Sequence, residues 1–158
     1  MASSVPGILG SAADGATFSG QQHRLGMASR ATIVGDSTNA LKSRSGIIPG
    51  GGTPLDVTAL GTPAMKVNVK AGVCAVQDTD SSKGVHTVIL TTAADLDIAA
   101  SNATYPRIDL VVAKVYTPGD STTTCTVEVL TGDANVVPAP PSIASPGANT
   151  SYLSLIHI

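Results

Sequence analysis

Apolar and polar positions alternate strictly from Met65 to Lys70: Met65, Val67 and Val69 fall on one side, and Lys66, Asn68 and Lys70 on the other. A period of two is the mark of a strand with one buried face. Gly72 then permits a bend or bulge, and Val73-Cys74-Ala75-Val76 continues as a strand. Asp78 to Gly84 is a polar run that reads as a hairpin loop, and Val85-His86-Thr87-Val88-Ile89-Leu90 returns from it. From Arg107 to Tyr116 the chain is almost continuously apolar, which predicts a central strand covered on both faces. Pro118-Gly119-Asp120 turns the chain, Cys125 to Leu130 pairs back, Val137 to Pro141 is stiff and extended, and Tyr152 to Ile158 closes as a last strand. Strands are therefore expected near 65–76, 85–90, 107–117, 124–131 and 152–158. The fold class is mainly β, an antiparallel β-sandwich-like domain over 65–158; a closed barrel fits the same pattern less well.

Residues 1–64 lack any sustained period of two and form an N-terminal arm, one short helix and a connector. Thr17 or Ser19 can cap the helix, with Phe18, Gln22, Leu25 and Ala28 or Ser29 at helical spacing. Gly26 in its middle costs about 1 kcal/mol against Ala, so the helix is short and depends on packing. Asp36 to Pro54, with Ile47-Ile48-Pro49-Gly50-Gly51-Gly52, reads as a long loop of the kind that lies against another subunit. The last strand ends in an apolar run, so either the sheet clamps it or the chain continues past Ile158.

Composition narrows the classes. Charged residues make up 13% of the 158 positions, against about a quarter in ordinary domains. A net charge of −2 leaves no electrostatic footprint for nucleic acid. No apolar run approaches the ~20 residues of a membrane helix, and the N-terminus lacks the pattern of a secretory signal.

The chemistry carried by motifs is thin. Gly35-Asp36-Ser37 is similar to the nucleophile block of one esterase class, which needs an Asp-x-x-His block near the C-terminus. His157 stands there, but position 154 is Ser, and the tripeptide recurs in the turn Gly119-Asp120-Ser121. A loop or turn is the better reading. Asp78, Asp80 and Ser82, followed by Gly84, open like a calcium loop, but Ile89 occupies the position that needs a bidentate Glu. His23, His86 and His157 share no ligand spacing. Cys74 and Cys125 read as two small buried thiols, with a disulfide the lesser alternative. Asn102-Ala103-Thr104 and Asn149-Thr150-Ser151 match glycosylation acceptors by chance. Gly50-Gly51-Gly52-Thr53 lacks the Lys of a phosphate loop. Arg107 and Asp109, two apart on one face of the central strand, form either a satisfied structural pair or a ligand site, the first being preferred. The expectation is no catalytic, metal or cofactor-binding residue, no cofactor, and no enzyme.

One block carries a resemblance. Ala103-Thr104-Tyr105-Pro106-Arg107-Ile108-Asp109-Leu110-Val111-Val112 follows the strand Met65 to Gly72 and precedes Glu128-Val129-Leu130-Thr131-Gly132, a Pro/Ala linker and Leu153-Ser154-Leu155-Ile156. This order resembles the N-terminal anchoring domain of tail-fibre, baseplate and minor tail proteins of bacteriophages of Gram-positive, especially actinobacterial, hosts. The likeness covers 65–158 well and Phe18 to Gln21 and Ile47 to Val57 loosely. It implies a structural virion protein of the phage tail, assembled in the host cytoplasm. Its partners would be other tail proteins and copies of itself, as a homotrimer. Host receptor would be reached only through a continuation past Ile158. Neither nucleic acid nor membrane is an expected partner. The alternatives are a capsid decoration or head-fibre protein and, further off, a cell-wall or capsule hydrolase domain.

Overall fold

Nine strands account for the regular structure of the computed structural model, which describes residues 24, 42–62, 64–80, 84–119, 122–143 and 149–158. They are β1 (Gly46–Ile47), β2 (Val57–Ala59), β3 (Lys66–Val69), β4 (Gly72–Gln77), β5 (Val85–Leu90), β6 (Ala94–Asp97), β7 (Leu110–Gly119), β8 (Thr122–Leu130) and β9 (Thr150–His157). All pairings are antiparallel, in three sheets of order β1-β4-β5, β2-β3-β6 and β8-β7-β9. The fold is mainly β and sandwich-like, as the alternation predicted. The expected helix lies outside the described residues, apart from Arg24, which is helical.

The central strand is β7. Leu110, Val111, Val112 and Ala113 are all essentially inaccessible, so both faces of its first half are covered, as the apolar run required. From Lys114 the outer face opens: Lys114 and Tyr116 point away from the core while Val115 stays inside. Val111, Ala113 and Val115 meet Val67 and Val69 of β3, Cys74 and Val76 of β4 and Val88 of β5 in one cluster. All three sheets thus share a core built largely of Val, whose branched side chains suit a pleated surface.

Between β3 and β4 the chain turns a corner at Lys70-Ala71 and leaves one sheet for another. Leu55 fills this corner. It is 2% exposed, belongs to the core cluster, and has a left-handed backbone with φ of 55°. That conformation costs a non-glycine residue roughly 1–2 kcal/mol, and burial of the leucine side chain offsets it by about 2 kcal/mol. The turn is held by Lys70, whose backbone N–H donates to the Asp56 carbonyl and whose ammonium binds Asp56 Oδ2 and Thr53 Oγ1, each at 2.9 Å. This contact holds the Asp56 carboxyl below its ordinary value, the Lys70 hydrogen bond being the main cause. Gly72 is glycine because a Cβ would stand 2.6 Å from the Leu55 nitrogen. Close approach, rather than a bulge, is its role.

Two expectations need correction. The loop read over 36–54 contains β1, which pairs with β4 through Gly46↔Ala75 and Ile47↔Cys74, and the connector beyond it contains β2, paired with β3. These strands of two and three residues are too short to show a period. The sequence reading also missed β6, whose Ala94-Asp95-Leu96-Asp97 pairs with β3 while turning its aspartates to solvent.

Truncating the corner plug, Leu55→Ala, should lower the unfolding free energy by about 3 kcal/mol, measured by urea titration. A loss under about 1 kcal/mol would mean that the corner closes without it.

Candidate functional site

Arg107 and Asp109 precede β7 instead of lying on it, since the strand begins at Leu110. This corrects their expected placement on the strand, but the pair itself forms. Arg107 Nε donates to Asp109 Oδ1 at 2.9 Å and to Oδ2 at 3.1 Å, with the two side chains 13% and 5% exposed. The other guanidinium nitrogens reach the carbonyls of Ala100 and Ala99. Asp109 Oδ1 also accepts the Gly132 backbone N–H at 2.8 Å. The Asp109 main chain exchanges both hydrogen bonds with Ile158. Three separate stretches, 99–100 before the strand, Gly132 after β8 and Ile158 after β9, are thereby tied to one carboxylate–guanidinium pair.

The geometry explains why these residue types stand here. A planar guanidinium offers several donors in a fixed fork, and it spends them on one carboxylate and two carbonyls. A carboxylate this far from water needs donors on its oxygens, and it receives them from Arg107 and Gly132. Gly132 itself passes so near that a Cβ would lie 2.0 Å from the Ile108 carbonyl oxygen. Asn102 shapes the preceding loop, its Oδ1 accepting the N–H groups of Thr104 and Tyr105. Beside the clasp lies an open cleft of about 460 Å³, whose apolar lining includes Met65, Ile98, Tyr105, Pro106 and Ile158. Its one ion pair is the clasp, already committed within the fold.

A second polar centre sits at the β4–β5 hairpin, and the sequence reading missed it. His86 Nε2 lies 2.9 Å from Asp78 Oδ2, with both side chains almost wholly buried. Asp78 Oδ1 accepts the Asp80 N–H, the Asp78 N–H donates to the Gly84 carbonyl, and the Gln77 amide donates to that same carbonyl. Ser45, Ser43 and Ser151 attach β1 and β9 to the same end. Asp78 is thus committed to His86 and to its own turn rather than to a cation loop, and Gly84, with φ of 82°, closes that turn. The available signal was a histidine within a Val-rich strand eight residues after an aspartate.

Among the described residues no cluster of three or more His, Cys, Asp or Glu is placed to hold a metal ion. Asp36, Ser37, His23, Asp120, Ser121 and Ser82 lie outside the described residues, and so does the His157 side chain. Thr53, after the glycine run, accepts a hydrogen bond from Lys70. Asn149 has a positive φ of 67°, and its carbonyl accepts the Thr117 N–H. No helix among the described residues is long and apolar enough to cross a membrane.

The two cysteines are both free thiols, and they differ. Cys74 is fully buried, and burial pushes its thiol up to about 11, with a smaller contribution from Cys125. Cys125 is exposed, which corrects the expectation of two buried thiols. It stands opposite buried Val115 on the core-side face of β8, a strand at the edge of its sheet.

Compared with protein-family models, with curated proteins and with solved structures, the chain matches none.

Two outcomes are expected from this geometry. Gly132→Ala should destabilise the fold by about 2–3 kcal/mol, seen as a lowered urea midpoint, because the Ile108 carbonyl is backbone and cannot swing away. Iodoacetamide at neutral pH should add one label, on Cys125, counted by intact mass. The second label should appear only after denaturation. Equal labelling of both thiols in the native protein would contradict the burial of Cys74.

Proposed function

We propose that this chain is a structural subunit of a bacteriophage tail, anchoring fibre or baseplate machinery for host attachment to the tail tip. The observation that carries the reading is the block Ala103 to Val112, which resembles the anchoring domain of such proteins along its whole length. Its polar residues, Arg107 and Asp109, are spent on holding three stretches of the chain together. A block that serves architecture is what a virion subunit needs; an enzyme would keep an acid, base or nucleophile unspent at a cleft.

The surface supports association. Met65, Tyr105, Val136 and Val137 are large apolar side chains left 45–79% exposed, and 13% charge over the sequence leaves little to hold copies apart. Closed symmetry would limit growth; the number three comes from the resemblance, while the surface argues for association alone.

The test is localisation. Gold-labelled antibody against this chain, applied to virions that contain it, should mark the tail end distal to the head. Label on the capsid would favour a decoration or head-fibre protein, and absence from purified particles would overturn the virion reading.

A further inference from the structure

We propose that the outer edge of β8 pairs antiparallel with β8 of a second copy of this chain, about a twofold axis near Cys125. Among the described residues β8 hydrogen-bonds only to β7, so one edge of its nine residues is unpaired. An edge strand left open offers a row of N–H and C=O groups to another strand. Natural proteins blunt such edges with charge, proline, short length or cover. Of the other edges, β5 is shorter, at six residues, and lies against β7 and β8, and the rest carry such devices. β1 and β2 are two and three residues long, β6 presents Asp95 and Asp97, and β9 packs against β4 with Ser151 holding the Thr79 N–H. β8 has none from Thr123 to Val127: the stretch is Thr-Thr-Cys-Thr-Val, and Thr123 to Thr126 are all exposed. Its one charge, Glu128, is engaged at 3.1 Å by Lys114 of its own sheet.

The strand fits itself. With Cys125 on the axis, Thr124 stands opposite the partner's Thr126 and Thr123 opposite the partner's Val127. Cross-strand pairs of β-branched residues of this kind are favourable. Each Glu128 then falls six positions from its counterpart, roughly 20 Å along the strand, so no like charges meet. The axis also brings the two exposed Cys125 side chains to face each other across the pair. Directly opposed residues in an antiparallel pair have Cβ atoms about 4.5–5.5 Å apart, near enough for an added oxidant to join the two thiols.

The inference rests on the proposed function only in assuming that several copies assemble. A twofold contact is compatible with three copies only as a six-chain assembly; a two-chain mass would keep the contact and replace the number three.

The experiment uses the full chain, reduced, with its mass in solution measured by light scattering at low and high concentration. Copper-phenanthroline oxidation and a non-reducing gel follow. The expected result is a two- or six-chain mass and a covalent dimer that Cys125→Ser abolishes and Cys74→Ala does not. Thr124→Glu with Thr126→Glu should weaken association at least about tenfold by setting like charges opposite, and Thr124→Lys with Thr126→Glu should restore it. A three-chain mass with no Cys125 dimer would overturn the edge pairing and leave the tail reading standing. A single-chain mass at every concentration would overturn both the pairing and the association argued for the tail subunit. An associated protein indifferent to the paired Glu substitutions would overturn the pairing alone.

Discussion

A carboxylate removed from water is tolerated only where its oxygens find donors, and in this chain that condition falls on Asp109. Arg107 and the Gly132 N–H satisfy it, and Ile158 pairs with the same residue through the main chain. The strand that starts one residue later is the most deeply buried among the described residues. β7 can run inaccessible from Leu110 to Ala113 because its entry is fixed by the nearby 99–100 stretch and by Gly132 and Ile158 from farther along the chain. Breaking one partner of such a pair leaves the other charge buried and alone, which is costlier than never having had the pair.

From that strand the rest of the packing follows. β8 and β9 flank β7, and the β1-β4-β5 and β2-β3-β6 sheets close over its inner face. The corner between β3 and β4 would leave a gap in the shared core, and Leu55 fills it from a stretch with almost no regular structure of its own. At the opposite end of β4 the buried Asp78–His86 pair and its serine contacts fasten the hairpin to β1 and β9. The interior is thus apolar in the middle and polar where the loops cross it, with the buried Asp78 and His86 paired and the Ser43 hydroxyl left without a partner.

How much of this was legible in the sequence depends on what each residue's neighbours are. β3, β4, β5, β7, β8 and β9 were readable because their side chains alternate, or are uniformly apolar, over enough residues to define a period. β1 and β2 were not, since two or three residues carry no period and their partners lie eight or more positions away. β6 was hidden because its solvent-facing aspartates resemble loop composition. Leu55 looked like one apolar residue in a turn-rich connector, and only the corner above it gives it a place. The Arg107–Asp109 pair was legible as a pair from its spacing beside an apolar run; the carbonyls and the Gly132 amide that complete it are tertiary. Cys125 misled for a simple reason. It lies in a strand as read, but that strand is at the edge of its sheet, where a side chain can stay open to solvent.

The account stands or falls on whether Arg107 and Asp109 act as one structural unit. A double-mutant cycle of Arg107→Met and Asp109→Asn, with each variant unfolded in urea, measures this directly. The account predicts a coupling of about 2 kcal/mol or more between the two positions, because each residue alone is left without its partner at a poorly hydrated site. Effects that add to within about 0.5 kcal/mol would contradict it, since two independent side chains could not be the clasp that seats β7.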